Sequence, residues 1–429
     1  MKNIQYNYKV KFILSLIKFF RIKNIDYIIL GNPDNLFSKN DKDLDIFIKY
    51  KNFQFIKDYL LEFAKKNNFY LTNIMQHEYN SYSVIFSSIH NNEINFALDI
   101  CNNYVINAKT ILNINERNFI VVKKRNFKFN FLTPDKQFIY YFYKKIYKKN
   151  IDLKSFKYLK SLYKNLDIKR KKIFFPSKQI QVLDKFFKKY ETKNFDLNLE
   201  YFIKKTKKSI YSNSIREYLR ILKRLKNKTG LHIVFLGIDG SGKSTLIKNI
   251  ENEFERGNVS YFRKFSKFHN FSNSSNGKQS IPFQKKDYGR FLSLIKIFYL
   301  TFKYAKQYIF FIYPRLLKSN LVLNDRYYQD ILINPSRYRI GHFHILLKYI
   351  FKYFPNPDII FFLKVDKKIL LKRKKELNNY QVKKNIKLIN KYIKENNQII
   401  NIDANLNKNA LLNNVFHKIK KFQHKKNKI

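Results

Sequence analysis

The sequence has little of what cross-links or sharply turns a chain: its 429 residues include one cysteine, 9 glycines, 8 prolines and no tryptophan. The single cysteine, Cys101, excludes an intramolecular disulfide framework and fits a reducing compartment. Acidic residues are also scarce, because 31 Asp and Glu stand against 86 Lys and Arg, for a formal net charge of +55. A disulfide scaffold is therefore excluded, and apolar residues must hold the fold.

Long hydrophobic runs are missing too. The most apolar stretch, 291–313, is interrupted by Lys296, Lys303 and Lys306, whereas a membrane span needs about 20 mostly apolar residues. The apolar patch near the N-terminus is broken by Lys18, and no small-residue cleavage site follows it. We therefore expect a cytoplasmic protein with no membrane partner.

What the chain does contain is apolar and basic. Hydrophobic residues make up 45%, with 43 Phe and 32 Tyr, so sizeable cores can form and a disordered chain is excluded. The length predicts two or three domains. The positive charge by itself favours nucleic acid or an anionic membrane, but lysine is spread along the whole chain while glycine and alanine are depleted. We favour compositional drift in an AT-rich genome, with nucleic acid as the less favoured partner.

Three of the nine glycines lie within six positions, in the segment Gly237-Ile-Asp-Gly-Ser-Gly-Lys-Ser-Thr245. This segment fits the phosphate-loop pattern G-x-x-x-x-G-K-[ST] in full. The apolar run 233–236 before it predicts a buried strand, and apolar residues at helical spacing over 246–254 predict a helix after it. The predicted nucleotide-binding residues are Gly237, Asp239, Gly240, Ser241, Gly242, Lys243, Ser244 and Thr245.

The residue types of this loop match the chemistry of a triphosphate. Glycines let backbone N–H groups converge on phosphate oxygens, and the following helix presents its positive end to them. Lys243 can reach the β- and γ-phosphates, and the Ser244 hydroxyl can ligate Mg²⁺. The sequence therefore predicts ATP and Mg²⁺ as cofactors.

Three further segments, 321–327, 357–363 and 399–403, predict strands, and 411–422 predicts a closing amphipathic helix. In open α/β sheets, ligands bind at the carboxyl ends of the strands. The loop and the Asp325-Arg326 pair are expected at that edge. The pattern predicts an α/β fold with a parallel sheet.

Residues 229–424 resemble the thymidylate kinase family of nucleoside monophosphate kinases. The resemblance is carried by the glycine-rich loop, Asp325-Arg326-Tyr327, the Pro357-Asp358 strand running to Val365-Asp366, Arg373 and Ile402-Asp403-Ala404. The resemblance implies that Asp239 contacts the sugar of an acceptor nucleotide and that Asp325 helps to hold Mg²⁺. It also implies that Arg326 binds the acceptor phosphate and that Arg373 lies near the lid over the transferring phosphoryl. The implied catalytic residues are Lys243, Asp325, Arg326 and Arg373.

Two departures from the family leave the acceptor open. Arg263-Lys264-Phe265 stands where the family has Arg-Glu-Pro, and the lid segment 372–376 is rich in lysine, which lacks the bidentate fork of arginine. The segment Asn334-Pro-Ser-Arg-Tyr-Arg339 is either a second anion clamp or a solvated basic turn. A non-catalytic ATP-binding regulatory module is therefore kept as an alternative to a kinase.

A second set of residues lies near the N-terminus. A predicted strand, 27–30, leads to Gly31-Asn32, and Asp43 and Asp45 lie on one face of a later strand, while Asp99 lies on a third. Three carboxylates on adjacent strands can hold two Mg²⁺ ions for attack on a nucleotide α-phosphate. Residues 20–125 resemble the DNA polymerase beta-like nucleotidyltransferase superfamily, which usually has Gly-Ser or Gly-Gly at that turn. A plain surface strand is the alternative.

The predicted organisation has three parts: a nucleotidyltransferase-like α+β domain over 1–125, a helical region over 126–228, and a P-loop thymidylate kinase-like α/β domain over 229–429. Thr133-Pro134-Asp135 predicts a helix start within the middle region. The predicted activity is transfer of the γ-phosphoryl of ATP to a nucleotide or other small phosphate-bearing acceptor. Nucleotidyl transfer by the N-terminal domain is a further alternative, and no oligomeric state is predicted.

Overall fold

The computed structural model describes residues 2–38, 43–91, 94–115, 117–149, 151–188, 202, 210–255, 262–269, 286–340, 342–373, 379–396 and 399–428. The chain forms two compact units, Met1–Lys223 with Gln423–Ile429, and Arg224–Phe422. Over the described ranges, no helix is both long enough and apolar enough to cross a membrane. Each unit is built on its own main sheet, and the two units are described in turn.

The first unit is built on a mixed sheet of seven strands, in the order β3-β4-β5-β2-β1-β9-β8, beside a separate two-stranded hairpin of β6 and β7. In chain order the strands are β1 (Tyr27–Ile29), β2 (Asp43–Ile48), β3 (Phe69–Glu78), β4 (Ser81–Ser88), β5 (Asn95–Cys101), β6 (Tyr104–Ile106), β7 (Lys109–Leu112), β8 (Phe119–Lys124) and β9 (Phe127–Leu132). Alternating side chains along a strand point to opposite faces, so each face of this sheet can bury a different set of residues.

Helices cover both faces of that sheet. They are α1 (Lys2–Ile22), α2 (Tyr50–Phe53), α3 (Ile56–Lys66), α4 (Pro134–Tyr147), α5 (Leu153–Lys164), α6 (Ile168–Phe174), α7 (Ser177–Lys188) and α8 (Ile210–Lys226), the last belonging to this unit up to Lys223. Ile46 on β2 packs into a core with α1 and α3, whereas the neighbouring Phe47 packs into a second core with α4, α5 and α7. Because successive side chains of β2 point to opposite faces of the sheet, the strand contributes to two separate cores.

The predicted helical region begins later than expected. The structure places residues 127–132 in strand β9 and starts the first helix, α4, at Pro134. Phe127, Phe129 and Phe131 alternate with polar residues, and this period of two is that of a strand. The prediction of helix from residue 126 was therefore wrong for 126–133.

The second unit has a five-stranded sheet, β11-β12-β10-β13-β14, and every neighbouring pair in it is parallel. Its strands are β10 (Leu231–Leu236), β11 (Phe265–His269), β12 (Leu321–Asp325), β13 (Ile359–Lys364) and β14 (Ile399–Asp403). Its helices are α9 (Lys243–Glu255), α10 (Arg290–Gln307), α11 (Tyr313–Leu317), α12 (Tyr328–Ile333), α13 (His344–Lys352), α14 (Lys367–Arg373), α15 (Asn379–Glu395) and α16 (Lys408–Lys426), the last belonging to this unit up to Phe422. The predicted α/β class with a parallel sheet is confirmed.

The central strand of this sheet positions the glycine-rich loop. All six residues of β10 are buried, and β10 pairs with β12 on one side and β13 on the other. Phe235, near the end of β10, is the register partner of Asp325, the last residue of β12. Because the strands are parallel, the loop after β10 and the residues after β12 leave the sheet at the same edge.

Strand β11 was not predicted from the sequence. It lies at the edge of the sheet, where Phe265 pairs with Leu321 and the strand runs parallel to β12. Its sequence, Phe-Ser-Lys-Phe-His, is short and half polar, as an edge strand allows, so it lacks the continuous apolar run that marks β10 and β13. The strand follows Arg263 and Lys264, the segment that departs from the family pattern.

Candidate active site

The glycine-rich loop of the second unit has a backbone that needs glycine. Gly240 and Gly242 have φ angles of 86° and 89°, in the left-handed region. Gly237 has a φ of +154°, and a Cβ added there would lie 2.7 Å from Ser241 Oγ and 3.2 Å from the carbonyl oxygen of Leu363. A side chain at Gly237 would therefore collide with the loop itself, and the glycines preserve the turn.

Lys243, the first residue of α9, is buried beneath this turn. Its Nζ donates hydrogen bonds to the carbonyl oxygens of Gly237 at 3.0 Å and Ile238 at 3.1 Å. Burial disfavours the ammonium and the nearby Arg326 repels it, so the pKa of Lys243 is lowered to about 7. An anion brought next to this ammonium would relieve both effects, which makes the loop a receptive site for a polyphosphate.

Ser244 and Asp325 form the second feature of the site. Ser244 Oγ donates a hydrogen bond to Asp325 Oδ2 at 2.7 Å, which joins the start of α9 to the end of β12. Asp325 Oδ1 is buried and has no hydrogen-bond partner among the described residues. Hydroxyl and carboxylate oxygens are the ligands that Mg²⁺ prefers, usually one or two from the protein with water and substrate phosphates completing the shell. The pair fits a Mg²⁺ ion.

An ion-pair network lies beside the loop. The Arg326 guanidinium donates to the carboxylate of Asp239 and, at 2.5 Å, to that of Asp330. Arg337 contacts the same two carboxylates, at 3.0 Å from Asp239 Oδ2 and 3.9 Å from Asp330 Oδ2, and Tyr338 OH donates to Asp330 at 2.8 Å. Two guanidinium groups thus alternate with two carboxylates, of which Arg326 and Asp330 are buried, and Asp239 connects the network to the phosphate loop.

The charges of this network dominate the titration of its acids. Burial by itself would raise the pKa of Asp239, but the positive charges of Arg326 and Arg337 outweigh burial and hold that pKa below its ordinary value. The same two cations keep the pKa of Asp330 low against a strong effect of burial. Both carboxyl groups are therefore ionised at neutral pH, and each balances a guanidinium.

Most of the predicted site residues of the second unit come together in one place. Two side-chain links connect the loop segment to the end of β12: Ser244 with Asp325, and Asp239 with Arg326. A third link joins β10 to the same end, because the backbone N–H of Arg326 donates to the carbonyl oxygen of Phe235 at 3.1 Å. Arg373 is the last residue of α14, and its side chain lies outside the described part of the structure. The roles assigned to individual residues stay predictions.

Two participants were missed or misjudged from the sequence. Asp330, buried on α12, was not singled out, although it follows Arg326 by four residues and that spacing on a helical turn indicates an ion pair. For Arg337 the sequence allows either an anion clamp or a solvated turn. In the structure it is half-buried against Asp239 and Asp330, while Arg339 lies 3.8 Å from the ring centroid of Tyr288. Arg337 is thus not a solvated residue.

The three N-terminal carboxylates lie in the first unit. Asp45 on β2 and Asp99 on β5 are register partners in a parallel pair, and Asp43 lies two residues before Asp45 on the same strand. Lys144 on α4, which was not singled out as a partner, donates from Nζ to Asp45 Oδ2 at 2.5 Å. Asn32, after Gly31, accepts a hydrogen bond from the backbone N–H of Asp34 at 2.9 Å and so caps a short 3₁₀ helix.

In the pair formed by Asp45 and Asp99, burial and like charge raise a carboxyl pKa, whereas the carboxyl pKa values beside the loop are lowered. Burial and the neighbouring Asp45 raise the pKa of Asp99 to about 6. Burial would lower the pKa of Lys144, but Asp45 and Asp99 outweigh it and raise that pKa. In the ranges that the structure describes, no group of three or more His, Cys, Asp or Glu side chains is arranged to hold a metal ion. Two-metal binding by Asp43, Asp45 and Asp99 stays a prediction.

The lowered pKa of Lys243 leads to a measurable proton uptake. At pH 8 a group with a pKa near 7 is mostly neutral, and a phosphate with a second pKa of about 6 is already ionised. The phosphates of bound Mg-ADP should raise the lysine pKa, so we expect proton uptake, of at most one proton per site, at pH 8 and an affinity that falls as pH rises above 7. Calorimetry in buffers of different ionisation enthalpy measures this uptake. Lys243→Met should abolish it, and an uptake of zero in the wild type would contradict the expectation.

Fold and loop together define the class of the second unit: a parallel α/β domain with a P-loop at the carboxyl edge of its sheet. The family model described as thymidylate kinase matches residues 235–415, which begin at the end of β10, include the loop, Asp325 and Arg326, and end within α16.

Among solved structures, a thymidylate kinase from Candida albicans is similar to the chain at 15% sequence identity. The similarity covers 46% of this chain and 93% of that chain, with a TM-score of 0.34. No curated protein matches the sequence.

Proposed function

We propose that the protein is an ATP-dependent nucleotide kinase, which moves the γ-phosphoryl of ATP to a nucleotide or another small phosphate-bearing acceptor. The observation that carries this proposal is the convergence of Lys243, Ser244 and Asp325 at one edge of the parallel sheet. The family match over residues 235–415 supports the same chemistry. A kinase needs little covalent chemistry from the protein, because positioning and charge stabilisation supply most of the rate.

In this proposal each group near the loop has one task. Backbone N–H groups of the loop bind the phosphate chain of ATP, and the Lys243 ammonium offsets charge that develops on the transferring phosphoryl. Ser244 and Asp325 would hold Mg²⁺, which when bound neutralises phosphate charge. Arg373, at the end of α14, is the proposed lid residue.

The acceptor site is proposed at the ion-pair network. Arg326 and Arg337 both face Asp239 in the structure, so an acceptor phosphate must compete with carboxylates for the same guanidinium N–H groups. A dianionic phosphate is a stronger partner for a guanidinium fork than a single carboxylate oxygen. Asp239 would then be released toward a hydroxyl of the acceptor, in line with the role that the family resemblance implies.

The experiment is incubation of the purified full chain with Mg-ATP and a pooled metabolite extract, followed by mass spectrometry. We expect an acceptor that gains one phosphoryl group and ADP in equal amount. ATP binding without transfer to any compound in the pool would instead favour a regulatory ATP-binding module. The lysine-rich segment 372–376 is the reason to keep that alternative in the design.

A second candidate activity is nucleotidyl transfer by the first unit, and the observation that favours it is the side-by-side placement of Asp45 and Asp99. The same incubation distinguishes it, because a nucleotidyl addition is much heavier than a phosphoryl addition. If such a product forms, Asp43→Asn should abolish it and leave phosphoryl transfer unchanged. A nucleotidyl product that survives Asp43→Asn would exclude this site as its source.

A further inference from the structure

The first unit contains a cavity that the proposed kinase chemistry does not use. Its volume is about 730 Å³, within the range of roughly 300–1,000 Å³ that is typical of small-molecule sites. The end of β2, helix α2, the turn between β3 and β4, the segment after β5 and helix α8 contribute to its walls. Asp43, Asp45 and Asp99 are not among its lining residues, so the cavity is distinct from the carboxylate cluster.

Aromatic rings make up an unusual share of the cavity wall. Five of the sixteen lining residues are aromatic, against 17% of the whole chain, and they are Phe47, Tyr50, Phe53, Tyr79 and Tyr82. The rings of Phe53 and Tyr82 lie 5.3 Å apart at a tilt of 38°, and Tyr50 is 68% exposed. Phe47 and Phe53 are buried in the core, so the stacking surfaces that a planar ring could reach are those of Tyr50, Tyr79 and Tyr82.

Cations surround these rings, and every charged residue that lines the described cavity is basic. Arg220 is held in place by Glu217, at 2.6 Å from its Nε, and by the carbonyl oxygen of Gln76, at 3.0 Å from its Nη1. Arg216 lies 5.7 Å from the ring centroid of Tyr79, and Lys223 follows it by two helical turns on the same side of α8. Guanidinium and ammonium groups next to aromatic faces suit a ligand that combines a flat ring with phosphate.

Side-chain amides complete the wall. Asn80 Nδ2 donates to the carbonyl oxygen of Asn103 at 2.9 Å, and Asn103 Oδ1 accepts from the backbone N–H of Ile114 at 3.0 Å. These bonds fix the amides of both residues at the cavity wall, where Gln76 and Asn102 also lie. Amide groups carry both donors and acceptors, which is the combination that recognises the edge of a nucleobase.

We propose that this cavity binds a nucleotide, with the base stacked among the tyrosines and the phosphate at Arg216 and Lys223. The nucleotide is either free or one unit of a single-stranded nucleic acid, because both present the same base and phosphate. This site is independent of the P-loop, and the proposal stands whether or not the second unit is a kinase.

The absence of tryptophan from the chain supplies a clean probe. Tyr50→Trp places the sole indole at the cavity, and Tyr8→Trp, on the exposed face of α1, is its matched control. Both are made in a Lys243→Ala background so that the P-loop does not contribute. If the ligand is a free nucleotide, we expect AMP to quench the indole emission of the Tyr50→Trp protein in a saturable manner. If the ligand is a single-stranded nucleic acid, we expect a 12-residue oligoadenylate to quench that emission and AMP to have no effect. Equal responses of the two reporters, or no quenching by either compound, would overturn the proposal.

Charge variants test the phosphate part of the site. Arg216→Gln with Lys223→Gln should weaken binding of the quenching compound by about tenfold or more, since both charge-assisted hydrogen bonds to the phosphate are removed. Lys65→Gln with Lys185→Gln removes the same charge from two exposed positions of the same unit and should change affinity less than about twofold. An equal loss in both double variants would show non-specific attraction to a basic protein and would refute a defined site.

Discussion

Lys243→Ala should lower kcat for phosphoryl transfer by about 10²- to 10³-fold, the loss that follows removal of one preorganised electrostatic group from a transition state. The ammonium is buried and its pKa is lowered to about 7, so it gains most from a phosphate that arrives beside it. Burial of this charge is unfavourable when no phosphate lies beside it, and the substitution should therefore leave the fold intact. Turnover of the acceptor found by mass spectrometry, or of ATP to ADP, is the measurement.

Lys248→Ala is the matched control, because Lys248 lies on the same helix, is exposed and carries the same charge. We expect its kcat to equal that of the wild type. Circular dichroism and thermal unfolding of both variants show whether the fold is retained. Unchanged turnover in a folded Lys243→Ala protein would defeat the proposed mechanism.

Arg326→Met should lower the free energy of unfolding of the second unit by about 3–5 kcal/mol, the usual loss when one partner of a buried ion pair is removed. Arg326 is only 9% exposed and contacts both Asp239 and Asp330. Asp330 would keep the distant Arg337, at 3.9 Å, but would lose its close partner. Hydrogen exchange of peptides from β10 and β12, followed by mass spectrometry, measures the local free energy of opening.

Two variants make this prediction specific. Lys348→Met removes a cation from an exposed pair, 3.5 Å from Glu395, and should change stability by no more than about 1 kcal/mol. Arg326→Met combined with Asp330→Leu removes both charges and should recover part of the lost stability, because no carboxylate is left buried without its close partner. Equal stability of Arg326→Met and Lys348→Met would contradict a structural role for the network.

The sequence was informative where one local pattern determines the structure. Gly237, Gly240 and Gly242 follow a fixed spacing whose backbone demands are local, and the strand-loop-helix around them formed as expected. Alternation along β2 correctly placed Asp43 and Asp45 on one face, and parallel register then brought Asp99 beside Asp45. In each case the signal lies within a few neighbouring residues.

Two ion pairs that join distant parts of the sequence were not predicted. Arg337 and Asp239 are 98 residues apart, and Lys144 and Asp45 are 99 apart. In a chain with 86 basic residues, no single lysine or arginine stands out as a partner. Strand β11 was missed for a related reason, since its polar edge sequence takes its conformation from β12 rather than from its own pattern.

The attachment of Asp239 to Arg326 and Arg337 has a consequence for binding thermodynamics. Because these ion pairs hold the middle of the loop, the loop loses its conformational entropy when the polypeptide folds. Little further conformational entropy is then lost when a ligand binds. Preorganisation of this kind raises affinity without any added contact. Removal of the ion pairs between Asp239 and the two arginines should therefore weaken nucleotide binding mainly through a less favourable binding entropy, with the phosphate contacts themselves unaltered.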